Sequence, residues 1–149
     1  TGFMVGSPWQ TMANLLEDLA FIRELQPQMI GIGPFIPHHA TPFKNYPAGT
    51  LEQTLTLLSV LRLMFPKVLL PATTALGTIV PNGRELGILA GANVVMPNLS
   101  PADVRQNYLL YDNKLCSGAE AAEAKNDLAA RLHSIGYEIA EGRGDYKES

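Results

Sequence analysis

Short apolar runs alternate with helical stretches along this chain, and that alternation limits the fold more than any other feature. Gly2–Gly6, Met29–Phe35, Val68–Thr73 and Asn93–Pro97 are the apolar runs. Between the first two, Leu15, Leu16, Leu19 and Ile22 recur at the spacing of one helix face. Between the next two, Thr50 and Gln53 form a capping box ahead of Leu51, Leu55, Leu58, Leu61 and Phe65. A loop after Thr73 leads to Asn82, an N-cap with Glu85 at N3, and a short helix over Gly83–Ala90 stops at Gly91. Parallel neighbours need crossovers of a dozen residues or more, so strands separated by helices imply a parallel sheet. Nearly all-apolar strands imply burial on both faces. The expected fold class is α/β: half of a (β/α)8 TIM-type barrel with four parallel strands. A flavodoxin-like open sheet is the alternative. Beyond these units, Ser100-Pro101 opens a further helix. Ser117–Ile135 is Ala-rich and reads as a surface helix, capped by Ser117 and Glu120 and ended by Gly136, followed by a polar tail over Gly142–Ser149. The expected division is a half-barrel over 1–116 and a C-terminal helix and tail over 117–149.

Composition excludes several function classes. A net charge of −3 provides no basic field for nucleic acid or an anionic membrane. No apolar run approaches the roughly 20 residues of a membrane span. The 149 residues, 46% of them hydrophobic and 17% charged, suffice for one packed core. One cysteine, Cys116, excludes an intrachain disulfide and fits a cytoplasmic protein. The start at Thr1, directly inside an apolar run, suggests a piece of a longer protein.

Barrel active sites lie where strands end, on the βα-loops. The informative residues are therefore Gly6-Ser7-Pro8, Pro34 to His39, Thr73-Thr74 and Met96-Pro97-Asn98. Gly31 and Gly33 do not suit an ordinary buried strand; they remove side chains where something else comes close. No phosphate-loop motif is present. His38 and His39 are adjacent, without helical His-x3-His spacing and with few carboxylates nearby in sequence, and read as a solvated loop pair. Arg84 and Glu85 read as a surface pair at a helix start.

The blocks TGFMVG, MIGIGPFIPHHATPF, LLPATTALGTIVPNGRELGILAGANVVMPNLSP and RQNYLLY add a resemblance. From Thr1 to about Cys116 they resemble the biotin-synthase-like radical S-adenosylmethionine (SAM) enzymes, in particular the maturases of FeFe hydrogenase. The resemblance implies a parent whose N-terminal half holds a 4Fe–4S cluster on a Cys-x3-Cys-x2-Cys triplet. SAM bound there yields a 5′-deoxyadenosyl radical, which acts on an iron-bound precursor alongside other hydrogenase maturation proteins. A sulfur-inserting, biotin-synthase-type enzyme is the alternative, and a non-catalytic self-associating module a third reading. By the resemblance, Met29 and Met96 help form the SAM site, and Thr73, Thr74, Tyr108 and Tyr111 line the substrate cavity. From the residues alone, core packing is the default for the methionines and tyrosines, and turn capping for the threonines. The chain has too few thiolates for the cluster. Some relatives carry a second cluster whose first cysteine matches Cys116, but its other ligands would fall at Ala124 and Asp127, so it is absent. Relatives commonly have a small residue where Trp9 stands. Half a barrel leaves its first and fourth strands without neighbours, so this chain is expected to self-associate as a dimer along them.

Overall fold

The computed structural model describes residues 1–97, 111–112 and 121–146. β1 (Gly2–Val5) leads into α1 (Met12–Leu25), then β2 (Gly31–Pro34) into α2 (Leu51–Met64) and β3 (Pro71–Ala72) into α3 (Thr74–Ile79) and α4 (Gly83–Leu89). β4 (Val94–Val95) follows, and α5 (Ala121–Ser134) packs later in the chain. β1 pairs parallel with β2, and β3 parallel with β4. A parallel bridge between Met29 and Leu69 joins the two pairs. The strands therefore neighbour one another in chain order. A flavodoxin-like sheet would place β1 between β2 and β3; here β2 lies between β1 and the segment entering β3. The order is that of consecutive barrel strands and departs from a flavodoxin-like sheet that begins at β1.

The regular strands are shorter than the apolar runs that contain them. Ile30 N–H donates to Leu69 O at 2.9 Å and Leu69 N–H to Gln28 O at 3.0 Å. Asn93 takes over at the other side, accepting from Leu70 N–H on its side-chain oxygen at 2.8 Å. Pairing thus begins at the N-terminal ends of β2, β3 and β4, ahead of the regular segments. Helix starts follow the expected chemistry. Thr11 and Asn14 cap each other's backbone at the start of α1, and Thr50 Oγ1 accepts from Gln53 N–H at 3.2 Å.

The stretch expected to be a loop before Asn82 contains α3. Thr74, Gly77 and Thr78 are weak helix formers, so local preference hides it. Packing decides the matter: Leu76 is fully buried, and the Cα of Gly83 lies so close that an added Cβ would sit 2.0 Å from Leu76 O. Asn82 occupies the N-cap position of α4 without a side-chain capping bond. Gly91, at φ +116°, turns the chain out of α4 under Arg62, whose Nε donates to Gly91 O at 2.7 Å.

One hydrophobic cluster joins these elements. Val5, Ile30, Ile32, Leu70 and Ala72 from the sheet meet Leu15 and Ile22 of α1, Leu58 and Leu61 of α2, and Ile88 of α4. Leu128 and Leu132 of α5 enter the same cluster. Leu16, expected on the buried face of α1, is exposed, because the stripe that meets the sheet is only Leu15, Leu19 and Ile22 wide.

Candidate active site

Successive residues of a strand point to opposite faces. In β1 and β2 one set, Val5 and Ile32 among them, faces the helices. The other set is Gly2, Met4, Gly31 and Gly33, and the register pairs Gly2 with Gly31 and Met4 with Gly33. This second face floors a cavity of about 850 Å³. Met29, Thr73, Met96 and Tyr111 line it together with Phe35, His38, Thr41 and Phe43. Around Gly31 nothing lies within 4 Å of where a Cβ would stand, so the backbone is open to the cavity. At Gly33 a Cβ would meet Thr73 Oγ1 at 2.6 Å. The absence of a side chain at Gly33 is what admits the Thr73 hydroxyl. That hydroxyl is buried and has no hydrogen-bond partner among the described residues. A buried, unsatisfied hydroxyl in a mostly apolar cavity is a ready donor or acceptor for a ligand's polar group.

The rim beside β1 and β2 is aromatic. Trp9, at φ +63°, sets its ring edge-on to Phe43 at 6.0 Å and to Tyr46 at 5.3 Å. Phe43 in turn meets Phe35 at 6.3 Å. The loop after β1 is thus fastened to the long loop after β2 by ring contacts. Trp9 belongs to the mouth of the cavity through Phe43. Gln10 holds the end of β1: its Oε1 accepts from Gly6 N–H at 2.6 Å, and its Nε2 donates to Met4 O at 2.9 Å. Gly49 lies between the ends of β1 and β2, where a Cβ would come within 2.0 Å of Val5 O. Only glycine lets the loop return so closely to the strand ends.

Two polar groupings stand apart from the glycine floor. His38 and His39 stack their rings at 4.3 Å, and His39 Nδ1 is 2.7 Å from Asp112 Oδ1. The hydrogen bond from His39 holds the Asp112 carboxyl below its usual range. Glu85 is buried and bonds to Arg131 of α5 through both carboxylate oxygens, the Oε2 contact with Nη2 being 2.9 Å. The same guanidinium donates to Pro81 O. Glu85 is therefore a docking group for α5 rather than half of a surface pair with Arg84. Arg84 is itself withdrawn from solvent, and burial, then the Arg131 charge, lower its pKa; Glu85 and Tyr111 act the other way.

Of the six residues singled out in the sequence, Met29, Thr73, Met96 and Tyr111 come together around one cavity. Thr74 is not among the lining residues; it begins α3, and its carbonyl accepts from Thr78 Oγ1 at 3.2 Å. Tyr108, like Asn98 and Cys116, lies outside the described residues. Sequence reasoning passed over Met4 and Phe43. The period-two pattern of GFMVG could have exposed Met4; nothing local marks Phe43, because an irregular loop carries it.

A 4Fe–4S cluster with SAM on its fourth iron needs three protein thiolates, and the chain has one cysteine, so its residues do not fit the cluster. The cavity is of a size and character that fits SAM: it joins soft, apolar methionines to an orphaned buried hydroxyl and bare glycine backbone.

No protein-family model matches the chain. Over 115 residues it is 50% identical to the [FeFe] hydrogenase maturase subunit HydE of Thermotoga maritima, covering 77% of this chain and 33% of that protein. It is 37% identical over 89 residues to the 3-methylornithine synthase of Methanosarcina barkeri, covering 60% of this chain and 25% of the relative. With the 3-methylornithine synthase of Methanosarcina acetivorans the identity is 28% over 127 residues, or 85% and 35% of the two chains. The matched stretch thus spans between a quarter and about a third of the length of these curated relatives. By its sequence this is a radical-SAM-family chain, and it resembles part of the [FeFe] hydrogenase maturase subunit HydE.

Proposed function

We propose that this chain is the C-terminal part of a cytoplasmic radical SAM enzyme that acts in FeFe-hydrogenase H-cluster maturation, and that its cavity encloses SAM and an iron-bound substrate. The observation that carries the reading is the convergence of Met29, Thr73, Met96 and Tyr111 on one cavity, in a chain half-identical to HydE over the matched stretch. The sequential parallel strands support a half-barrel whose remaining strands come from the N-terminal part. SAM bound in such an enzyme supplies a 5′-deoxyadenosyl radical. This chain's residues do the surrounding work. Met29 and Met96 pack against apolar parts of the ligands. Thr73 fixes a polar group through its hydroxyl, which has no partner among the described residues. The aromatic rim of Trp9, Phe43 and Tyr46 holds the two loops together and limits water at the mouth. A sulfur-inserting enzyme and a 3-methylornithine synthase are the competing activities; the higher identity to HydE favours maturation.

The chain alone is expected to assemble no cubane cluster and to cleave no SAM. Anaerobic reconstitution followed by iron and sulfide analysis checks this, and a stoichiometric cluster in a monomer would overturn it. Joined to a cluster-bearing N-terminal part, the enzyme is expected to form 5′-deoxyadenosine and to support hydrogenase maturation. Production of 3-methylornithine or of a sulfur-inserted product instead would replace the reading.

A further inference from the structure

Beside the cavity, two imidazoles of the loop after β2 and the carboxylate of Asp112 stand in one place. We propose that His38, His39 and Asp112 form a site for a borderline divalent cation of the Zn2+ or Fe2+ type. Potential donor atoms of all three lie within 4.8 Å of one another. Asp112 is distant in sequence, and two contacts hold it to the histidine loop. Its N–H donates to Pro37 O at 3.2 Å, and its Oδ1 lies 2.7 Å from His39 Nδ1. Two imidazoles and one carboxylate are the donor set of open-sided zinc and non-haem iron sites, where remaining positions go to water or substrate. Hard ions such as Mg2+ prefer all-oxygen donors and are excluded on the same ground.

The present arrangement needs only small movements to accept an ion. Bonds of about 2.0–2.1 Å at a tetrahedral angle set two donors roughly 3.3 Å apart. His39 Nδ1 and Asp112 Oδ1, now at 2.7 Å, must part slightly, with the ion replacing the shared proton. His39 is an exposed side chain and Asp112 a partly exposed one, so neither is locked by packing. His38 Nδ1 accepts from Ala40 N–H at 3.1 Å. Binding through Nδ1 displaces that bond. Binding through Nε2 moves the proton to Nδ1, which then no longer accepts. Either route releases the Ala40 amide. The position gives the site a role, since His38 and Tyr111 both line the cavity. An ion there would tie segment 111–112 to the loop after β2 and offer its open positions at the rim.

The test is calorimetric titration of the 149-residue chain with Zn2+, with Co2+ absorption as a second probe. One equivalent should bind, and His38→Gln, His39→Gln and Asp112→Asn should each weaken binding at least about tenfold. His133→Gln, on α5, should bind as the parent does. The Ala40 amide resonance should shift on Zn2+ addition in the parent and not in His38→Gln. Circular dichroism of each variant separates lost ligands from lost folding. Equal binding by parent and by the His38→Gln, His39→Gln double variant would overturn the site. So would equal loss in His133→Gln, or no binding by the parent at about 1 mM Zn2+. An Ala40 resonance that ignores the ion would remove His38 from the donor set.

Discussion

The two faces of the same short strands are built on opposite rules. Toward the helices stand Val5, Ile30, Ile32, Leu70 and Ala72, none more than 2% exposed. Toward the cavity stand Gly2, Met4, Gly31, Gly33, Thr73 and Met96, and Met4 is 59% exposed. The first face uses stiff or branched side chains at close-packed density, where each methylene contributes. The second uses missing side chains, flexible methionines and one hydroxyl without a partner among the described residues. Gly2 is held to glycine by the strand pairing itself, since a Cβ there would meet Gly31 O at 1.9 Å, but a face chosen for stability would not leave the open space at Gly31 unfilled or bury a Thr73 Oγ1 that has no partner among the described residues. The contrast separates what holds this molecule together from what it offers to a ligand.

The contrast can be broken at several points. The largest effect is expected for the cavity face as a whole. Covering several hundred Å2 of its apolar surface is worth on the order of 10 kcal/mol before association costs. This chain should therefore dimerise along the β1 and β4 edges, and Met4→Lys should shift it toward monomer. Sedimentation equilibrium showing a well-folded parent monomer at micromolar concentration would end that expectation.

On the packed face, Leu70→Ala should lower unfolding free energy by about 2–5 kcal/mol, as a cavity forms under a fully buried side chain. Urea denaturation followed by circular dichroism measures it. A loss below about 1 kcal/mol would mean that the sheet repacks freely. Between the two faces lies Gly33→Val. Its branches would press on Thr73 and cost about 1–3 kcal/mol by overpacking, with ligand affinity falling as the hydroxyl is displaced. Unchanged SAM affinity in the complete enzyme would show that Thr73 does not need its place above Gly33.

Thr73→Val carries the smallest stability effect. Replacing an unpaired buried hydroxyl by a methyl should change stability by less than about 1 kcal/mol. Turnover of the complete enzyme should nevertheless fall at least about tenfold, the worth of one hydrogen bond to substrate. Thr74→Val, off the cavity, should leave turnover closer to the parent's. Equal turnover in parent and Thr73→Val would reduce Thr73 to a residue that starts α3.

The sequence by itself determined the alternation of strand and helix, because apolar periodicity and the cap at Thr50 are local properties of the chain. It also marked Gly31, Gly33 and the strand ends as the place to look, since glycine in an apolar strand conflicts with ordinary packing. Three things had no local signature. α3 forms from weak helix formers because Leu76 is buried against Gly83 and Gly87. Glu85 reads as a surface residue until Arg131, 46 positions later, closes on it. His39 is the solvated loop histidine the sequence suggested, and what the sequence could not show is that Asp112, 73 positions away, comes to its Nδ1. In each case the deciding energy is a packing or polar contact with a residue outside the element itself, 7 and 11 positions on for Leu76, 46 for Glu85 and 73 for His39. Periodicity and propensity report only on neighbours within a turn or two, so the tertiary structure alone could decide them.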